Sequence, residues 1–411
     1  MVKKRKAINN LITLVLVTHI FSWILFMPIF QVQMILFKKR VLTFVHFGLF
    51  EIFLITILFI MLKGIIRVDK VTKLSLTLSG LFFLSGIINI FKQGTNNPSV
   101  VMFYMMCWVF PFLLVCIVRQ YDYNIDKVFN FLLIIVIIHA LIIFYQSFSN
   151  SFFWPFTSDE SGNKIFEMNQ YYNTGKFSMR CTGITTTGLD AGILLLFGIV
   201  LTLIKGNIKS INRMVLILLF TVSIIFTGTR NIYVMFLYML LAVCFLRVDI
   251  EKEKKKWLLL LFTCVFGISY FYIISGIDHY TTTGNLMSDT TSIGIRLSKW
   301  EHTVNIFRES SIMDLLFGFM KWQNAGNCEV IDNMYLEITY CSGLLCMIYY
   351  IRYIINIAEY IVSNGSYFSF IVSSFSLCYL IYGVLNGASN FYFTLIILLL
   401  LKYNNHKSQC G

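Results

Sequence analysis

The sequence predicts an all-α polytopic integral membrane protein, and three of its features support that fold class. Of the 411 residues, 57% are hydrophobic and only 13% are charged, about half the charged fraction of a soluble domain. Apolar runs continue from Leu11 to Leu401 with no long polar stretch that would separate domains. The runs lack the alternation of barrel strands, whereas a helix satisfies its own backbone hydrogen bonds in lipid. We therefore expect a single membrane domain over residues 1–411.

The apolar runs predict about twelve transmembrane helices. Several runs are shorter than the roughly 20 residues that a perpendicular span requires, so their predicted boundaries are approximate. The runs lie at residues 11–30, 41–62, 74–91, 100–118, 128–148, 187–204, 214–227, 231–246, 257–274, 334–351, 367–384 and 388–401.

The distribution of basic residues predicts the orientation in the plasma membrane. With a cytoplasmic N-terminus, 21 of the 33 Lys and Arg residues fall in inner segments, which predicts that both termini are cytoplasmic. Lys38-Lys39-Arg40 disagrees with this count because it falls in an outer connection, and a slipped first hairpin would explain it. The net charge of +13 does not indicate a nucleic-acid partner, since no basic cluster alternates with aromatic residues on a soluble module.

Two connections, at residues 149–186 and 275–333, are much longer than the others, and both are predicted on the outer face. The second contains apolar residues at helical spacing, which predicts an amphipathic helix at the membrane surface or capping the bundle. These residues are Ile293, Leu297, Trp300, Val304 and Phe307.

Three arginines are predicted at outer ends of helices, against the usual distribution of positive charge. Arg180 precedes the sixth helix, Arg230 ends the seventh, and Arg296 begins the loop helix, with Lys299 three residues later. A guanidinium can bind two phosphate oxygens at once and keeps its charge, so three of them would suit a diphosphate. The alternative is that each contacts lipid headgroups or pairs with a carboxylate.

The remaining polar residues give weaker indications. Glu51 and Glu337 lie within apolar runs, where carboxylates are costly and often functional, and either could pair with an outer arginine. No spacing of Cys and His residues suggests a metal site. Cys181 and Cys328 lie in the two long loops, where they form either a disulfide or, as we favour, two free thiols.

The order of these motifs resembles that of bacterial O-antigen and capsular polysaccharide polymerases, and equally that of the O-antigen ligases in the same superfamily. Arg180-x-x-Gly183 follows the first long loop, and Thr227-Gly-Thr-Arg230 follows the next helix. The second loop carries Arg296-Leu-Ser-Lys-Trp300 and Leu316-Phe-Gly318, which match an Arg-x-x-x-Trp and a Phe-Gly motif. Asp332-Asn-Met-Tyr-Leu336 and Ser342-Gly-Leu344 then match a His-Asn-x-Tyr-Leu motif and a Gly-Leu pair. Asp332 stands where the ligases have histidine, which favours the polymerases.

The resemblance implies a bundle like that of the C-type glycosyltransferases and a metal-independent enzyme without a cofactor. Such an enzyme joins oligosaccharide repeat units of O-antigen, capsule or exopolysaccharide, carried on undecaprenyl or another polyprenyl diphosphate, at the outer face of the bacterial plasma membrane. Its partners would include a flippase and a chain-length regulator. A ligase, and a flippase or other transporter of lipid-linked oligosaccharides, are the alternative functions.

The same resemblance implies roles for individual residues. Arg180, Arg230 and Arg296 would bind the diphosphate and stabilise its developing charge, and Arg296 would also be catalytic. Asp332 is the candidate general base, although it could instead be the N-cap of the tenth helix. Asn333, Glu337 and Lys299 are candidate supporting residues.

The predicted orientation can be tested by labelling single cysteines in intact cells. In a variant without native cysteines, we expect a membrane-impermeant maleimide to label Glu160→Cys and Asn285→Cys but not Lys254→Cys, because only the first two lie in the long loops. Labelling of Lys254→Cys in intact cells would contradict the orientation.

Overall fold

The computed structural model describes residues 2–62, 70–93, 98–120, 125–156, 170–173, 176–204, 208–246, 292–319, 331 and 333–363, with 251, 254, 257, 258, 261, 262 and 265. The contacts divide the chain into two compact units. Unit 1 comprises Met1–Ile65 and Tyr121–Leu237, and unit 2 comprises Ile66–Gln120 and Tyr238–Gly411. The single domain expected over residues 1–411 stays a prediction, and each unit is described by itself.

The described residues are mainly helical. In chain order the helices are α1 Val2–Ile24, α2 Phe26–Phe37, α3 Phe44–Leu62, α4 Lys70–Gln93, α5 Pro98–Tyr104, a π-helical segment Met105–Val109, α6 Phe110–Gln120, α7 Ile125–Ser149, α8 Gly188–Ile204, α9 Ser210–Phe226, α10 Arg230–Leu246, α11 Ser292–Glu309, α12 Ile312–Phe317, α13 Met334–Ser342 and α14 Leu344–Ser363. One antiparallel hairpin, β1 Gln170–Asn173 and β2 Lys176–Met179, lies in the first long loop and pairs Gln170 with Met179.

Four of the described helical segments are long and apolar enough to cross a membrane: Lys6–Ile24, Thr72–Lys92, Pro98–Ile117 and Lys127–Ser149. Shorter apolar helices are Phe26–Phe37, Val45–Met61, Gly188–Leu203, Ser210–Phe226, Ile232–Leu241 and Leu344–Asn356. These helices are consistent with a membrane protein. The number twelve stays a prediction, because the predicted runs 367–384 and 388–401 and most of 257–274 lie outside the described residues.

Two of the predicted runs are each divided between two helices. The run at 11–30 is interrupted at Leu25, and α2 begins with Pro28 in its first turn, where a missing N–H removes no helical hydrogen bond. The run at 334–351 is interrupted at Gly343, which ends α13 with a φ of 87°. Hydrophobicity alone did not reveal either break.

Helix α7 in unit 1 has polar residues on its buried face and apolar residues on its exposed face. His139 and Gln146 lie on the buried face and are 0% exposed. The exposed apolar residues recur at spacings of four and three: Ile134, Ile138, Leu141, Tyr145 and Phe148. Apolar side chains on the exposed face and polar groups within the packed face suit a helix that contacts lipid on one side and protein on the other.

Two further contacts in unit 1 bear on the sequence-based predictions. Glu51 of α3 pairs with His19 of α1, with 2.6 Å between Oε1 and Nδ1 and both side chains buried, so its partner is a histidine rather than an arginine. The Lys38 ammonium lies 5.8 Å from the centre of the Phe156 ring, which follows α7. The connection 38–43 and the start of the first long loop are therefore at the same end of unit 1.

Unit 2 is organised around buried aromatic side chains of α4, α6 and α14. The Phe82 ring stacks on Trp108 at 5.4 Å and on Phe112 at 5.6 Å, and Phe112 meets Tyr353 edge-on at 5.3 Å. Trp108 lies in the π-helical segment. Pro111 follows that segment and lacks the N–H that would continue the α-helical pattern, which accounts for the local change in winding.

At Gly343 the backbone between α13 and α14 crosses close to the end of α12, and a substitution there tests this packing. A Cβ at Gly343 would overlap the carbonyl oxygen of Leu316, and the positive φ disfavours any other residue. We expect Gly343→Ala to lower the free energy of unfolding by at least about 2 kcal/mol. The matched control is Gly80→Ala, because a Cβ there meets nothing within 4 Å. Thermal unfolding of the purified variants measures both effects, and equal stability of the two variants would contradict the crossing.

Candidate functional site

The fold brings the Arg180 motif and the Thr227-Gly-Thr-Arg230 motif together in unit 1. The backbone N–H of Cys181 donates to the carbonyl of Phe226 at 3.3 Å. A side chain at Gly188 would lie 3.0 Å from the Thr227 carbonyl oxygen and 3.7 Å from the Cβ of Arg180. A side chain there would be tightly packed, so Gly188 at the start of α8 is the point where the two motifs meet.

Helix α7 holds the loop that follows Arg180. The side-chain oxygen of Gln146 accepts hydrogen bonds from the backbone N–H groups of Thr182 and Gly183, at 3.0 and 2.8 Å. His139 Nδ1 accepts from the N–H of Ile184 at 3.0 Å, and Nε2 lies 3.2 Å from the carbonyl of Ala191. This pattern requires the neutral tautomer with its proton on Nε2, which donates to Ala191. His139 is therefore a structural residue.

Gly183 makes this attachment possible. It has a φ of 58°, and a Cβ there would overlap the His139 ring. Its carbonyl accepts from Trp154 Nε1 at 2.9 Å, which ties the loop to the segment after α7. The backbone conformation thus requires glycine at this position of the Arg-x-x-Gly motif, since any L-residue would be strained and would clash with the His139 ring.

The first turn of α8 presents N–H groups next to the Arg180 segment. The Thr187 hydroxyl accepts from the N–H of Asp190 at 3.0 Å and donates to the Asp190 carboxylate at 2.9 Å, so Thr187 caps this helix. Arg180 is half-buried and lies close enough to Tyr233 to interact with its hydroxyl electrostatically. A guanidinium and a helix N-terminus together favour negative charge, and the Asp190 carboxylate already lies in this first turn.

Arg230 has a different position from the one predicted. The prediction that Arg230 ends the seventh helix is wrong, because α9 ends at Phe226 and Arg230 is the first residue of α10. The intervening residues 227–229 form the turn that contacts Gly188. The Arg230 side chain itself lies outside the described residues.

In unit 2 the Arg296-x-x-x-Trp300 motif is connected to the segment that contains Asp332. The Trp300 indole Nε1 donates to the carbonyl of Ile331 at 2.9 Å. Arg296 and Lys299 lie in the same helix, α11, and both are half-buried. Asp332 lies outside the described residues.

Asn333, not Asp332, caps α13. The Asn333 side-chain oxygen accepts from the backbone N–H groups of Tyr335 and Leu336, at 3.0 and 3.1 Å. The structural alternative for Asp332, that it caps this helix, is therefore wrong. Glu337 lies in the first turn of α13, is 1% exposed, and is close enough to Cys107 and Cys341 to interact with their thiols electrostatically.

The Leu316-Phe-Gly318 motif packs directly on the Ser342-Gly-Leu344 motif. A Cβ at Gly318 would lie 2.5 Å from the backbone nitrogen of Ser342, and the N–H of Phe319 donates to the carbonyl of Tyr340 at 2.7 Å. Gly318 has a φ of 70°. Both glycines of these motifs are needed because two backbone segments cross here without room for side chains.

Sequence reasoning missed a polar face of α4 that holds this crossing. Ser85 Oγ and Asn89 Nδ2 both donate to the carbonyl of Phe317, at 2.5 and 2.8 Å, and Lys92 forms an ion pair with Asp314. Tyr104 of α5 adds a buried contact of 2.9 Å with Ser342 Oγ. The signal was present in the sequence, since these α4 residues are spaced four and three apart in an otherwise apolar run.

Cys181, one of the two cysteines in the long loops, is buried. This burial raises the pKa of its thiol to about 12, which suppresses the reactive thiolate at neutral pH. Cys328 lies outside the described residues. Within the described ranges, no group of three His, Cys, Asp or Glu residues could hold a metal ion.

The predicted arginines are distributed over both units, with Arg180 and Arg230 in unit 1 and Arg296 in unit 2. Each unit thus joins motifs that are far apart in sequence. The chain matches no protein-family model and no curated protein sequence.

The contact between Trp300 and Ile331 can be tested by removing the indole donor while keeping an aromatic ring. We expect Trp300→Phe to destabilise the start of α13 by about 1 kcal/mol, because the Ile331 carbonyl loses its partner. Hydrogen exchange of the amides of residues 333–337 should become several-fold faster. Trp257→Phe is the control, since Trp257 is exposed. Unchanged exchange in Trp300→Phe would contradict this role.

Proposed function

We propose that this protein is a polysaccharide polymerase that joins lipid-diphosphate-linked oligosaccharide repeat units at the outer face of the bacterial plasma membrane. One observation carries the proposal: motifs that the sequence separates by tens of residues meet in each unit. Arg180 lies beside the Thr227–Thr229 turn, and Trp300 holds the residue that precedes Asp332.

The arginines supply the chemistry that a diphosphate leaving group needs. In the proposed reaction Arg180, Arg230 and Arg296 bind phosphate oxygens of the lipid-linked substrates. The N-terminus of α8, whose first turn also carries Asp190, lies next to Arg180 and adds the positive end of a helix dipole. Fixed donors of this kind stabilise the charge that develops as the leaving group departs.

The proposed step is an inverting glycosyl transfer. The acceptor hydroxyl oxygen forms a bond to the anomeric carbon, and the bond between that carbon and the diphosphate oxygen breaks. The electron pair of that bond leaves with the polyprenyl diphosphate, and the hydroxyl proton passes to the carboxylate of Asp332. Because the diphosphate already activates the sugar, the step requires no nucleotide sugar, metal or cofactor.

The neighbours of Asp332 support its assignment as the base. The described neighbours are engaged in hydrogen bonds, since the Ile331 carbonyl accepts from Trp300 and Asn333 caps α13. Glu337 lies in the first turn of α13 and is buried. Asn333, Glu337 and Lys299 act in this proposal as supporting residues.

The proposal predicts that the purified protein polymerises a synthetic polyprenyl-diphosphate repeat unit, without the flippase or chain-length regulator that would accompany it in the cell. We expect Asp332→Asn to lower turnover by about a hundredfold to ten-thousandfold while the protein stays folded, because Asn333 still caps α13. We expect Arg180→Lys and Arg296→Lys to lower turnover by about tenfold or more, because lysine loses the bidentate geometry. Product length on a gel measures each effect.

The matched controls are Glu309→Gln and Arg308→Lys, since both side chains are exposed at the end of α11. Normal polymer from Asp332→Asn together with both arginine variants would contradict the proposed site. Transfer of preformed polymer to a different acceptor would identify a ligase instead. Movement of the lipid-linked unit across vesicles without polymerisation would identify a flippase.

A further inference from the structure

Three consecutive basic residues, Lys38, Lys39 and Arg40, are exposed at the end of α2 and have no part in the proposed reaction. Their loop has a defined conformation. Lys38 ends α2 with a φ of 56°, and its N–H donates to the carbonyl of Met34 at 3.2 Å. The Gln33 side-chain oxygen accepts from the backbone N–H groups of Val41, at 2.8 Å, and of Leu42. The loop therefore presents its three charges from a fixed backbone.

An aromatic surface supports these charges. Residues 152–156 pack on α2 through Phe152, Trp154 and Phe156, which contact a buried cluster of Met27, Phe30 and Met34. The Gln31 side chain bonds both the carbonyl and the N–H of Phe156, at 2.7 and 3.1 Å. Lys38 then lies over the Phe156 ring, and the Arg40 guanidinium lies 5.1 Å from the centre of the Phe30 ring.

Apolar side chains flank the same loop. Large hydrophobic residues at the end of α2 and in the loop are exposed: Val32, Ile35, Leu36, Phe37, Val41 and Leu42. An apolar face that ends in a cluster of cations and aromatic rings has the composition of a helix end at the boundary between acyl chains and headgroups. A soluble anion would make no use of the apolar face.

We propose that Lys38, Lys39 and Arg40 form a binding site for the phosphate of an anionic membrane phospholipid. The exposed face of α2 contacts the acyl chains, and the three cations contact the headgroup. This site also explains why the sequence keeps three positive charges in a connection where the inner-face rule predicts few. The inference does not depend on the proposed polymerase activity.

The binding can be measured on the purified full chain in neutral detergent, with phosphatidylglycerol as the anionic probe and phosphatidylcholine as the neutral one. Native mass spectrometry counts retained lipids, and thermal unfolding reports their stabilising effect. We expect phosphatidylglycerol to bind with an affinity on the order of a hundredfold higher than that of phosphatidylcholine, since each basic residue near an anionic headgroup adds a several-fold factor. Millimolar inorganic phosphate should not displace the lipid.

The variant K38Q/K39Q/R40Q should lose this preference, and the single variant Lys39→Gln should lose about fivefold in affinity while both cation–aromatic contacts remain. The control K73Q/K209Q/R308Q removes the same charge from exposed positions elsewhere and should retain the preference. Unfolding of every variant in phosphatidylcholine checks its folding. Equal binding of phosphatidylglycerol by Lys39→Gln and the wild type, or displacement of the lipid by inorganic phosphate, would overturn the proposal.

Discussion

The segments that connect the helices carry backbone N–H and C=O groups that no helix satisfies, and side chains of the helices supply their partners. Gln146 bonds the N–H groups of residues 182 and 183, and Gln33 does the same for residues 41 and 42. Asn89 and Trp300 donate to the carbonyls of Phe317 and Ile331. An unpaired backbone group costs several kcal/mol in an apolar environment, so these bonds decide which loop conformations are accessible.

This requirement changes how polar residues inside the helices are to be understood. His139 has the chemistry of a general base, yet both of its ring nitrogens are engaged with backbone groups. The buried glutamines and asparagines of α2, α4 and α7 serve in the same way. Such residues give each loop one conformation, and a catalytic role is better sought among residues that the loops carry than among those that hold the loops.

The glycines of the motifs complement these side chains. Gly188 allows the Arg180 segment to approach the turn after α9, and Gly318 and Gly343 allow two backbone segments to cross. Each crossing brings together parts of the chain that a side chain would hold apart. The Arg180 segment thus depends on close backbone approach at Gly188.

The sequence by itself determined the helical membrane class, the positions of most helices and the motif residues, because hydrophobic length and Lys and Arg placement depend on local composition. It could not locate the breaks at Leu25 and Gly343, since neither interrupts the hydrophobicity. Only the tertiary structure decided that Glu51 pairs with His19, that Asn333 rather than a neighbour caps α13, and that α4 holds the Phe317 carbonyl. These outcomes depend on which groups become neighbours after packing, and distances between residues far apart in sequence are not encoded in local pattern.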